Sequence, residues 1–310
     1  MPLLKENFEF LSANGKNMIK GVIRRKDAPP YKAIIQISHG MVEHMDRYEE
    51  FMNFMAENGY VMVGHDHLGH KASVDSDDEL GFFAEKDGYK CILDDLVTTA
   101  SRTRKMFPGL KLVLLGHSMG SFYARVFASK YHNLIDGIII SGTGGTNPIA
   151  GVGKLLIKLM IIIKGAKYRS DFVANISFSG FLSKIPCPKN KSEWISTDPE
   201  MVQKYINDKY CSFTFTLSGF LDLVTINGLS NSEECYKNFK KDIPVYIFSG
   251  EMDPVGEYGK GVTEVYEKLK AAGVSDITFK LYKDGRHEML NEVNRKDVYN
   301  DLLSWTDQKF

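Results

Sequence analysis

Apolar residues in this chain fall into short continuous runs, separated by longer stretches in which they recur every three or four positions. Ala33–Ser38, Tyr60–Val63, Leu112–Leu115, Ile135–Ser141, Pro244–Gly250 and Ile277–Tyr282 are runs of the first kind. Each is short, bounded by turn residues and mostly apolar, so each predicts a strand. Between them, Phe51, Phe54 and Met55 give Glu49–Asn58 the spacing of a helix that stops at Gly59. Ile92, Leu93, Leu96, Val97 and Ala100 line one side of a helix over Gly88–Phe107, closed by Pro108-Gly109. Gly261–Ala272 and Arg295–Trp305 carry two further helices. Residues 7–25 alternate instead, around Ala13-Asn14-Gly15, which predicts an edge hairpin. Strands that alternate with helices in this way predict an α/β fold, a mostly parallel central sheet with helices on both faces.

The rhythm breaks after Gly142-Thr143-Gly144-Gly145 and resumes at Pro244. Residues 146–230 hold helical and irregular patches, many aromatic residues and no clear strand. The simplest organisation is one core interrupted by an insertion: residues 1–142 as its first part, 143–232 as a helical cap, and 233–310 as its second part. Sites in parallel sheets gather at the carboxyl ends of the strands. An insertion leaving at Ser141-Gly142 departs from that edge, so it is expected to cover the site.

One turn stands out. The run Leu112–Leu115 ends in Gly116-His117-Ser118-Met119-Gly120, followed by a helical stretch. A strand–turn–helix this tight strains the serine backbone and lifts its hydroxyl clear of the sheet edge. Glycines two residues to either side let helix and strand approach closely. The helix N-terminus points amides and partial positive charge at whatever reacts with Ser118, which is what a serine nucleophile needs when its attack creates an oxyanion. Such a nucleophile also needs a base, and an acid to orient the base. Asp253 follows the run 244–250, and His287 follows 277–282, both in turns just past a carboxyl strand end. Ser118, Asp253, His287 is the chain order expected of a strand–elbow–helix hydrolase. Glu251, two residues before Asp253, is the competing acid, and Asp222, in the insertion, a weaker one. The oxyanion donors are expected to be the backbone N–H groups of Met119 and of Met41, which Gly40 allows to turn inward. His39 and Gly40, with residues of the cap, are the suspected substrate contacts.

Bulk properties narrow the classes. Lys+Arg and Asp+Glu both number 39, so the net charge of zero steers the protein toward no nucleic acid. The four cysteines are scattered without a Cys-x-x-Cys pair, which fits a reducing compartment rather than a disulfide framework. No signal-peptide core follows Met1, and the apolar stretch Leu155–Ile163 is too short to span a bilayer, so a cytoplasmic protein is expected. His65-Asp66-His67-x-x-His70 holds ligand-type residues, but their tight spacing places them on different sides of a turn. The expectation is a loop ordered by hydrogen bonds, with no metal and no cofactor. Glu43 and Arg47 are expected to pair structurally.

With these residues laid out, the chain resembles the monoacylglycerol lipase and lysophospholipase branch of the α/β-hydrolase superfamily, in the serine aminopeptidase S33 group. The matching stretches are His39-Gly40-Met41-Val42-Glu43-His44 with Arg47-Tyr48, Gly64-His65-Asp66-His67-Leu68-Gly69-His70, Gly116–Gly120, Gly250–Gly256 and Gly285–Glu292. The resemblance implies an α/β-hydrolase fold with Ser118 as nucleophile, Asp253 as acid, His287 as base, Met41 and Met119 amides as the oxyanion hole, and a cap over an acyl pocket. It departs at Lys71, where the family usually has a second glycine in Gly-His-Gly-x-Ser. The expected activity is carboxylester hydrolysis of monoacylglycerols, lysophospholipids or related small acyl esters. An S33-type aminopeptidase or amidase would want clustered acids in the cap; Glu193, Asp198, Glu200 and Asp222 show no such cluster in the sequence. A non-catalytic relative would lack a member of the triad, and none is lacking. Gly153–Lys164, apolar with a lysine fringe, reads first as a cap helix packed on the core and second as a face that meets lipid surfaces.

Overall fold

The computed structural model describes residues 2–310. Its eight strands form one sheet in the order β1-β2-β4-β3-β5-β6-β7-β8. β1 (Leu3–Leu11) and β2 (Met18–Lys26) make the edge hairpin, and β2 joins β4 antiparallel. β3 (Ala33–Ser38), β4 (Val61–His65), β5 (Lys111–His117), β6 (Gly137–Ser141), β7 (Val245–Gly250) and β8 (Ile277–Tyr282) all run parallel. β3, β4, β6 and β7 are buried along their whole length, whereas β1 alternates between covered and open positions. That is the burial their hydrophobic patterns predict.

Helices cover both faces. α1 (Glu49–Glu57) follows β3 and α2 (Gly88–Met106) follows β4. α3 (Met119–Lys130) follows β5 directly, and every residue from Met119 to Ser129 is buried. Five helices lie between β6 and β7: α4 (Ala150–Lys164), α5 (Asp171–Ser177), α6 (Pro199–Asn207), α7 (Leu217–Ser230) and α8 (Glu233–Asn238). α7 and α8 pack against α3, while α4 packs on α7. α9 (Lys260–Ala271) and α10 (Arg295–Lys309) complete the layers. Two apolar clusters result, one on each face of the sheet. Ile34, Leu112, Leu114, Phe127 and Ile138 belong to the first, and Ile35, Val113, Leu115, Tyr299 and Trp305 to the second. Alternate residues of one strand feed opposite cores, so the sheet is clamped between two hydrophobic layers and its carboxyl edge is a fixed platform. No helix is long and apolar enough to cross a membrane among the described residues.

Candidate active site

The turn from β5 to α3 is as tight as its glycines demand. Ser118 has φ 52° and ψ −122°, a conformation that a residue with a side chain holds only under constraint. The constraint is packing. A Cβ on Gly120 would lie 1.9 Å from the Ser38 carbonyl oxygen, and one on Gly116 would lie 2.4 Å from the Gly120 oxygen. Helix and strands therefore meet backbone to backbone, and the Ser118 N–H is fixed by the Ser141 carbonyl at 2.9 Å.

Asp253 and His287 meet at the same edge. His287 Nδ1–H donates to both Asp253 carboxylate oxygens at 2.9 Å. Asp253 is fully buried, and its oxygens also accept from Ser249 Oγ at 2.7 Å and the Val255 N–H at 2.9 Å. With Nδ1 as the donor, Nε2 is left as the basic nitrogen. Burial alone would lower the pKa of the imidazolium, but the Asp253 charge and hydrogen bond outweigh it and leave His287 raised above its ordinary 6.5. No hydrogen bond joins Ser118 Oγ to Nε2 in this structure; such contacts commonly tighten only when substrate arrives. Ser118 and His287 line one cavity, and the rings of His117 and Trp194 flank His287 at 4.7 and 5.1 Å between centroids.

The loop after β3 carries Met41, whose N–H donates to no protein group among the described residues. The surrounding loop is held closely. The Gly40 N–H donates to Glu43, and the Val42 N–H to His70 Nε2 at 3.4 Å. His39 Nδ1–H donates to the Gly40 carbonyl at 2.8 Å, and His39 Nε2 accepts the His67 N–H at 2.8 Å. Asp66 takes the Met45 N–H at 2.9 Å. The histidines of these loops are thus neutral hydrogen-bonding parts. Burial brings His65 down to about 3 and His70 to about 4, and pushes His39 and His67 well below the ordinary value. Met41 and Met119 both line the cavity, as does Gly40, while His39 lies behind it, fully buried.

A buried ion network supports the two loops from below. Arg47 pairs with Glu288 and lies 3.7 Å from Glu43, whose carboxylate also accepts from Tyr48 OH at 2.8 Å. Burial and the Glu288 charge raise Glu43 to about 7. The network joins the loop that presents Met41 to the residue after His287. The expected Glu43–Arg47 pair is therefore half of a three-residue bridge. Glu288 escaped the sequence reading, although its place beside the base was the available signal.

The cavity holds about 1040 Å³. Its floor is Gly40, Met41, Ser118, Met119 and His287; its walls are largely apolar, with Phe122 of α3 and, from the segment after β6, Phe178, Phe181, Leu182, Phe213, Phe220, Leu223 and Val224 among them. The Trp194 carbonyl accepts the His287 N–H at 3.4 Å, and the Ile195 carbonyl the Glu288 N–H at 2.6 Å, so the insertion rests on the base loop itself. Glu251 is exposed and has no side-chain partner among the described residues, and Asp222 is buried on α7 beside Gly88, away from this edge. The four cysteines are free thiols.

Residues 29–294 match the family described as serine aminopeptidase, S33. The chain is 25% identical over 285 residues to a monoglyceride lipase homolog of Monkeypox virus, covering 88% of this chain and 89% of that protein. Over 283 residues it is 25% identical to the human monoglyceride lipase, covering 90% and 83% respectively. Among solved structures, a thermostable carboxyl esterase from Bacillus coagulans in complex with glycerol superposes with a TM-score of 0.92 at 28% identity, covering 98% of both chains.

Proposed function

The chain belongs to the serine aminopeptidase S33 family of α/β-hydrolases, and on that premise we propose that Ser118, His287 and Asp253 form its catalytic triad. The chain is a carboxylic ester hydrolase, as its monoglyceride lipase and carboxyl esterase relatives indicate. In the proposed reaction His287 Nε2 takes the Ser118 proton as Oγ attacks the ester carbonyl, and Asp253 stabilises the imidazolium. The Met41 and Met119 amides receive the oxyanion. His287 then protonates the departing alcohol, and a water activated by the same nitrogen releases the acid from the acyl-enzyme.

The observation that carries this reading is a strained serine and an Asp–His pair at the rim of one largely apolar cavity. Such a cavity suits a fatty-acyl ester, with monoacylglycerols, lysophospholipids and related acyl esters as the substrate class. Residues 143–232 act as the cap over a core of 1–142 and 233–310. On α4, Val152, Leu155, Leu159, Ile162 and Ile163 are exposed, Ile162 to 81%, beside Lys154, Lys158 and Lys164. This face meets lipid surfaces, from which the acyl chain enters. Purified protein assayed on monoacylglycerols and lysophosphatidylcholines of graded chain length, and on aminoacyl-naphthylamides, tests the reading. It requires turnover of the long-chain esters over the amides; the reverse preference overturns it.

A further inference from the structure

Lys71 has φ 36°, a backbone position that resists any side chain and favours glycine. Its Nζ donates to His44 Nδ1 at 3.3 Å, pairs with Asp46, and lies 5.9 Å from the centre of the Tyr210 ring. An ammonium has donors only, so Nδ1 must be the acceptor and the proton of neutral His44 sits on Nε2. That N–H donates to Asp208 Oδ2 at 2.8 Å. His44 is buried in the loop that carries Met41. Asp208 belongs to the insertion, where its other oxygen caps the turn Lys209–Cys211 by accepting the Tyr210 N–H at 2.8 Å. Cys211, Ser212 and Phe213, next in the chain, line the cavity.

His44, Asp208 and Cys211 also bring three donor atoms within 4.8 Å of one another, a grouping that could suggest a divalent metal. Lys71 argues against it. A metal-bound histidine needs its second ring nitrogen to donate to an acceptor, and here that nitrogen faces an ammonium. Arg47, whose charge acts on Cys211, adds a second cation. The groups facing His44 are Lys71, Asp46 and Asp208, with Cys211 and His70 nearby. Burial, then the Lys71 charge, lower His44 and keep it neutral.

We propose that Lys71 is a positioning residue for ester hydrolysis: by donating to the Nδ1 side of the His44 ring it aims the Nε2–H at Asp208, and so holds the 211–213 wall of the cavity, next in the chain, against the loop that presents the Met41 N–H. This deepens the reading above and rests on it for the kinetic test alone. Lys71→Met keeps the stem and removes the donor; Lys71→Gly also relieves the backbone. Both are expected to raise KM for a long-chain monoacylglycerol about five-fold, the usual worth of one hydrogen bond, with a smaller change in kcat. In an Asp208→Asn background, where a single amide oxygen cannot both cap the Tyr210 N–H and accept from His44, Lys71→Met should add almost nothing to KM. Nitrogen-15 NMR of His44 should show the Nε2–H tautomer in the wild type and in Lys71→Met, with Nδ1 taking up its proton at higher pH in the variant, which lacks the neighbouring ammonium charge. An unchanged Nδ1 titration, an unchanged KM in both Lys71 variants, or a full KM effect in the Asp208→Asn background each overturns the proposal. Should the wild type hydrolyse no ester, the functional reading fails and the Nδ1 titration alone still decides on Lys71.

Discussion

The carboxyl edge of the sheet and the helices between β6 and β7 enclose the same cavity with opposite kinds of surface. At the sheet edge, charged side chains are buried against partners: Asp253 accepts three donors, and Arg47 pairs with Glu288 near Glu43. Along α4, large apolar side chains stand in solvent, with Ile163 exposed to 77%. Burying ions demands matched partners, and exposing isoleucines demands something to cover them. The difference separates two duties. In the proposed reaction, chemistry belongs to the platform, where geometry is fixed by strands, and choice of substrate belongs to the roof, where surface is on offer.

Each prediction tests one side of that contrast. Ser118→Ala should lower kcat/KM for a p-nitrophenyl ester by about 10⁶-fold while the melting temperature stays within a few degrees. Asp253→Asn should cost about 10⁴-fold by favouring the wrong His287 tautomer, measured in the same assay. Arg47→Met leaves two buried carboxylates unpaired and should destabilise the fold by about 3–5 kcal/mol, read from denaturant midpoints. If the loss proves as small as that of an exposed ion pair, the platform is looser than its burial implies.

Two pH effects have opposite signs. His287 is raised above 6.5 and is a base only when neutral, so the acid limb of kcat/KM should have its midpoint above 6.5. The stability from its Asp253 pair is full below 6.5 and is lost as pH rises through the folded-state value. His70 is the reverse case: with a folded value of about 4, the unfolded chain takes up its proton first as pH falls. Stability from this group therefore drops between about 6.5 and 4. At one unit per 1.36 kcal/mol, the wild type should lose about 3 kcal/mol more than His70→Gln between pH 7 and pH 4. On the roof, Ile162→Asp with Ile163→Asp should change stability by less than about 0.5 kcal/mol and leave p-nitrophenyl acetate turnover at its wild-type rate, yet weaken co-sedimentation with lipid vesicles. Unaltered vesicle binding would remove the role assigned to α4.

The same contrast governs what the sequence disclosed. Strands of the platform were legible because burial on both faces writes a continuous apolar run; Ala33–Ser38 is β3 residue for residue and is buried throughout. The hairpin was legible in kind, but β1 begins at Leu3 and β2 ends at Lys26, because strand pairing extends past the alternating positions. The last helix runs on to Lys309, its polar final turn carrying no hydrophobic spacing to announce it. The elbow was legible because only glycine fits at 116 and 120. The roof was less so. Phe215 and Phe220 are core while Phe172 is exposed, and no period along the chain distinguishes them. Partners distant in sequence, such as Asp208 for His44 and Glu288 for Arg47, leave no local mark.

Everything turns on whether the Ser118 oxygen becomes acylated. Incubation of the wild-type protein with a fluorophosphonate, followed by peptide mapping in a mass spectrometer, measures this directly. The account predicts one adduct per chain, located on Ser118, formed faster as pH rises through the His287 midpoint and absent from Ser118→Ala. An unmodified Ser118 alongside undiminished ester turnover, or an adduct on another residue that inactivates the protein, would contradict it.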